Sequence, residues 1–191
     1  MMKNKNLFLI VGKSGSGKDY LCNKLEGKNH HQVKSYTTRP PRKKDPKDKT
    51  SHTFITKEEF TNFKKEDMFV YTNYNGNCYF VTKEMVQQED LYIIGTAGLT
   101  YILDKYMSKE LASSSIGINK IYVIYIKRNV ITRFFNMVFR RKDGIKSALI
   151  RIMYDYKLYK DFENKMEVGK IYDFTTKSIE EACKYIENKG E

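Results

Sequence analysis

Apolar residues fall along this chain in short runs whose spacing changes from stretch to stretch. Residues 7–11 form a continuous apolar run, the pattern of a central parallel strand buried on both faces. A helix is predicted from Lys18, with Leu21, Cys22 and Leu25 on one side and an end near Gly27. Residues 33–42 are β-prone and leave through Pro40-Pro41, and residues 43–50, charged and free of apolar side chains, predict an exposed mobile loop. The elements then shorten. A strand at 52–55, a helix from 57 to about 66, and strands at 68–74 and 79–81 around Asn75-Gly76-Asn77 read as a small inserted lobe. A short helix at 84–89 and a buried strand at 91–94 follow, and Gly95-Thr96-Ala97-Gly98 turns into a helix at 99–106. Residues 109–119 read as a surface loop. Residues 121–126 are the clearest core strand, 130–140 a strongly apolar helix, and 145–164 a long helix with Ala148, Ile152, Tyr156 and Tyr159 at helical spacing. A last strand is expected at 170–175 and a last helix at 179–187. Strands alternating with helices predict a doubly wound α/β fold with a central parallel sheet.

The turn between the first strand and helix carries chemistry: Gly12-Lys13-Ser14-Gly15-Ser16-Gly17-Lys18-Asp19. Gly12, Gly15 and Gly17 allow successive backbone N–H groups to turn inward around anionic oxygens, with Ser14 and Ser16 between them. Lys18 adds a positive charge where the helix also points its positive end. The loop predicts a nucleotide phosphate site. A Ser or Thr ordinarily follows the lysine to reach Mg²⁺. Here that position is Asp19, so any metal contact is made differently.

Composition narrows the setting. The 191 residues suit one domain with a substantial core, and 40% hydrophobic content with no membrane-length run suits a soluble, cytoplasmic protein. Cys22, Cys78 and Cys183 are scattered, which excludes a disulfide framework or a zinc site and predicts free, partly buried thiols. His30 and His31 read as an exposed loop. Much of the formal charge of +12 reads as solvated surface lysines; beyond that it favours polyanionic partners, a nucleotide site ahead of a nucleic acid. No feature fixes an oligomeric state.

Beyond the loop, Ser35, Thr37, Thr38, Arg39, Pro41 and Arg42 resemble the S-x-T-T-R-x-x-R segment of guanylate kinases, and lie at the distance expected after the loop. The likeness continues through His52-Thr53-Phe54, Lys57-Glu58-Glu59-Phe60, Gly76-Asn77-Cys78-Tyr79, Arg140, Arg151 and Tyr172-Asp173-Phe174. It implies a P-loop kinase core (residues 1–33, 84–126 and 165–191), an inserted monophosphate-binding lobe (34–83) and a helical lid (127–164). The activity it implies is ATP- and Mg²⁺-dependent phosphoryl transfer to a nucleoside monophosphate. By the same resemblance Gly12 to Asp19 hold ATP, with Asp19 at the metal, and Ser35, Arg39, Arg42, His52 and Tyr79 clamp the acceptor phosphate. Lys18, Arg140 and Arg151 act on the transferring group, with Arg133 and Arg141 as nearby substitutes.

The likeness breaks at the acceptor base. The positions with which the family reads guanine fall on Val70, Val81, Ile93 and Gly95, which cannot do so. Guanine without partners would lose on the order of 1 to 3 kcal/mol per unpaired group. Thr72, Asn73, Tyr74 and Asn75 are the polar candidates for reading another base. Two other functions stay open: a non-catalytic module of the same fold, and a kinase acting on modified bases in DNA.

Overall fold

The computed structural model describes residues 5–41, 52–107, 117–140, 144–169 and 172–190. Strand β1 (Lys5–Val11) lies inside a four-stranded parallel sheet in the order β6 (Leu91–Ile93), β1, β7 (Ile118–Ile126), β8 (Phe174–Thr176). Its alternating side chains explain the continuous apolar run. Leu7, Leu9 and Val11 pack against helices α4 (Thr96–Met107) and α6 (Ile145–Gly169) through Leu99, Ile102, Tyr159 and Phe162. Phe8 and Ile10 meet α1 (Lys18–Leu25) and α7 (Ile179–Gly190) through Leu21, Leu25, Ala182 and Ile186. Residues 7–11 are fully buried, and a side chain of this size contributes about 1.5 to 3 kcal/mol when taken from water.

A second sheet runs in the order β3 (His52–Phe54), β2 (Ser35–Thr37), β5 (Asn77–Thr82), β4 (Met68–Tyr74). β4 and β5 form an antiparallel hairpin closed by Asn75 and Gly76, both with positive φ (50° and 71°), as a two-residue turn requires. One face of this sheet packs on aromatic rings: Phe60, at the end of α2 (Lys57–Phe60), and Phe63 meet Tyr36, Tyr71 and Phe80 at centroid distances of 4.8 to 5.9 Å. Helix α3 (Lys83–Gln88) leads back to β6.

Several expectations are corrected. The helix expected at 57–66 ends at Phe60, and a 3-10 turn follows at Lys65–Asp67. The helix expected at 130–140 is α-helical only as α5 (Val130–Phe135) and widens into a π-helical turn, Asn136–Arg140. Its Val130, Ile131, Phe135 and Phe139 are exposed. His30 is also misread by an exposed-loop assignment: it is buried, its Nδ1 is 2.6 Å from Asp90 Oδ2, and it lies edge-on to Phe8. The loops expected at 43–50 and, for the most part, 109–119 lie outside the described residues. The three cysteines are free, and no described helix is long and apolar enough to cross a membrane.

Candidate active site

The glycine loop leaves the C-terminal end of β1 and enters α1, so the positive end of that helix faces the loop. Two glycines are dictated by contact. A Cβ on Gly12 would lie 2.7 Å from Ser16 Oγ and 2.9 Å from the Ile126 carbonyl oxygen. On Gly15, at φ 74°, it would lie 2.5 Å from the Arg133 carbonyl oxygen. Lys18 is half-buried at the start of α1, and its Nζ donates to Gly12 O at 2.6 Å and Lys13 O at 3.3 Å. Ser16 Oγ is buried without a hydrogen-bond partner among the described residues, a donor suited to a phosphate oxygen.

That orphaned hydroxyl and the glycine cradle fit a nucleotide triphosphate. The fit to Mg²⁺ is narrower. Among the described residues no group of three or more metal-ligating side chains gathers, and exposed Asp19, in the first turn of α1, is the carboxylate the loop itself supplies. A site of that kind suits Mg²⁺ held chiefly by phosphate oxygens with one protein carboxylate beside them.

The acceptor candidates meet on one face of the second sheet. Ser35 pairs with His52, Thr37 with Phe54 and Tyr79, Thr72 with Tyr79, and Val70 with Val81, so strand alternation puts these side chains on the face opposite the aromatic rings. Ser35 Oγ and His52 Nδ1 share a hydrogen bond at 2.8 Å, and the His52 ring is 5.9 Å from that of Tyr79. The Arg39 guanidinium lies 5.2 Å from the Phe54 ring and donates to Pro40 O at 2.9 Å. Arg42 and Arg141 lie outside the described residues. At the inner end of this face Val70 and Val81 are fully buried in the core cluster with Ile94 and Leu99. Thr72 is half-buried and Asn73, Tyr74 and Asn75 are exposed.

Arg140 is exposed at the end of the π-helical turn, and Arg151 is half-buried on α6. Arg133 is instead buried against the loop and ion-paired with Asp155, and Asn136 Nδ2 donates to Gly15 O at 2.9 Å. Along α6, Asp155, Tyr159 and Glu163 stand one turn apart and follow the loop. Asp155 accepts from Ser14, the Tyr159 ring lies 5.6 Å from Lys13 Nζ, and Glu163 pairs with Lys13 at 3.0 Å. The helical spacing of Asp155, Tyr159 and Glu163 was available in the sequence, but nothing there says that this face meets residues 140 positions earlier. Burial pushes the Tyr159 hydroxyl well above its ordinary pKa, with the Asp155 charge adding to it. Burial alone would raise Glu163, but hydrogen bonds from Tyr125 and Lys13, with the Lys13 charge, hold it below the usual carboxylate range. Beside Glu163 a cavity of about 100 Å³, lined also by Tyr125, Lys127, Tyr172 and Thr175, is smaller than ligand pockets, which run from roughly 300 Å³.

A parallel sheet whose first strand ends in a phosphate-type glycine loop, with a second sheet and two helices around that loop, defines a P-loop kinase fold. The guanylate kinase family model matches residues 4–188, and the chain belongs to that family. A guanylate kinase from Neisseria gonorrhoeae is 34% identical over 103 residues, covering 52% of this chain and 47% of that protein. One from Clostridium acetobutylicum is 38% identical over 88 residues, 45% of this chain and 42% of that protein. The matched stretch thus spans about half the length of these curated relatives. A crystal structure of guanylate kinase from Anaplasma phagocytophilum matches with a TM-score of 0.54 and 23% identity over 98% of this chain and 86% of that one, a likeness of fold.

Proposed function

We propose that this protein transfers the γ-phosphoryl group of ATP to a nucleoside or deoxynucleoside monophosphate whose base is not read as guanine. The observation that carries the reading is the one-sided acceptor face. It presents Ser35, His52, Tyr79 and Thr72 toward a ligand, and closes at its inner end on the fully buried pair Val70 and Val81. A phosphate finds donors there. A guanine edge finds no acceptor at the valines, and each unmatched polar group costs about 1 to 3 kcal/mol.

ATP, with Mg²⁺ on its phosphates, supplies the phosphoryl group and neutralises part of its charge. The chain's own share is positioning and electrostatics. Gly12 to Lys18 wrap the donor phosphates with N–H groups, and Lys18 trades its bond to Gly12 O for a phosphate oxygen. Asp19 would hold Mg²⁺, directly or through its water shell. Ser35, Arg39, Arg42, His52 and Tyr79 hold the acceptor phosphate, where guanidinium forks outmatch a lysine. Arg140 and Arg151 close on the transferring group and exclude water.

The test is transfer from ATP to a panel of ribo- and deoxynucleoside monophosphates. The expected outcome is turnover with an acceptor other than GMP or dGMP, abolished in Lys18→Ala. Exclusive use of GMP or dGMP sinks the base reading. Absence of ATP turnover with every acceptor sinks the enzyme reading in favour of a binding module, and turnover only on modified DNA favours a nucleic-acid substrate.

A further inference from the structure

Three atoms of one loop residue are held by a single ion pair. Ser14 N–H donates to Asp155 Oδ2 at 2.7 Å, Ser14 Oγ donates to Asp155 Oδ1 at 3.2 Å, and Ser14 O accepts from Arg133 Nε at 2.8 Å. Arg133 Nη2 closes the ring by donating to Asp155 Oδ2. Both charged side chains are 5% exposed. Stability alone does not call for such a pair, because a buried ion pair is often matched or exceeded by apolar side chains of similar volume. Its geometry has another use. A carboxylate beside an anion-binding loop would by itself repel phosphate, and here the guanidinium cancels that charge while both groups fix the Ser14 peptide.

We propose that Arg133 and Asp155 are positioning residues for the donor phosphates. Acting through Ser14, they set the turn of the loop so that the N–H groups after Ser14 converge before a ligand arrives. The same pair joins α5 to α6, and so roots the segments bearing Arg140 and Arg151 on the loop they serve. Asn136, bonded to Gly15 O, extends the hold to the next residue. The inference rests on the reading of the glycine loop as the ATP site.

The experiment measures ATP affinity by calorimetry without acceptor, steady-state kinetics, and thermal unfolding for wild type, Asp155→Asn, and the apolar pair Arg133→Met with Asp155→Leu. The expected result is ATP binding weakened about tenfold or more in both variants, with the acceptor KM changed by less than about twofold. The apolar pair recovers the unfolding midpoint that Asp155→Asn loses, yet leaves ATP affinity low, a separation that a purely structural role does not produce. An apolar pair that binds ATP as wild type does overturns the inference and leaves the donor site standing. Wild type that binds no ATP overturns the donor reading, and the inference with it. Should neither variant fold, Arg133→Lys decides, since it keeps the positive charge but removes the Nε bond to Ser14 O: a several-fold loss of ATP affinity supports the inference and unchanged affinity overturns it.

Discussion

Glu163 shows how one side chain near the loop is tuned. Tyr125 and Lys13 both donate to it, and together they hold its carboxyl below the ordinary value of 4.5 despite burial. A depressed carboxylate pKa contributes stability that is present above the unfolded value and is lost as pH falls through the folded one. Glu163→Gln is therefore expected to lower the urea midpoint at pH 7, with the gap to wild type narrowing as pH falls below 4.5 and through the depressed folded value. A gap independent of pH would show that the hydrogen bonds, and not the charge, carry the contribution. Single residues also mark where sequence reasoning fell short. His30 looked like loop surface because its partner, Asp90, is 60 positions away. Arg133 looked like a spare lid cation because its burial depends on Asp155 and Ser14, which only the folded chain brings to it.

Elements with their own local signals were legible in the sequence. Strands β1, β4, β6 and β7 overlap the apolar runs that announced them, the Asn75-Gly76 turn closes the hairpin, and α1 begins at Lys18. The two misjudged helices differ in cause. Residues 57–66 lack the apolar stripe to sustain three turns, and the segment ends where Phe60 and Phe63 reach the sheet. Residues 130–140 are apolar enough for a core, yet Val130, Ile131, Phe135 and Phe139 are exposed while Arg133 and Met137 turn inward. What keeps the one-turn α2 in place is its capping box, in which Thr56 Oγ1 accepts from Glu59 N at 3.0 Å and Glu59 Oε2 accepts from Thr56 N at 2.7 Å. Thr56→Ala is expected to cost about 1 kcal/mol by chemical denaturation. Because Phe60 backs the acceptor face, the acceptor KM should rise while ATP affinity stays constant. An equal change in both would detach α2 from the acceptor side.

Across the whole molecule, α6 touches both the glycine loop and the hairpin of the second sheet. Asp155 reaches the glycine loop, and its neighbour Tyr154 meets Tyr74 at the tip of the β4–β5 hairpin, with centroids 6.0 Å apart and planes at 74°. Burial and a hydrogen bond with Tyr154 raise the Tyr74 hydroxyl above its ordinary pKa, so the Tyr74 hydroxyl stays protonated near neutrality. The helix is thus a strut between the two sheets. Tyr154→Ala is expected to lower kcat by several-fold with little change in ATP affinity, because it frees the hairpin without touching the loop. Stopped-flow nucleotide binding beside steady-state turnover would separate the two, and a loss confined to ATP affinity would contradict the strut.

The pairing of Val70 with Val81 carries a historical consequence. These positions are sealed in the same core that supports Leu99 and Ile94, so on the proposed reading acceptor choice and folding would draw on the same atoms. A carboxylate introduced there alone would be buried without a partner, at a cost of several kcal/mol, before it could recognise any base. On the proposed reading the change in specificity works as a ratchet: ancestry can be retraced only through several coordinated replacements, since each isolated step back meets an unfolding penalty first.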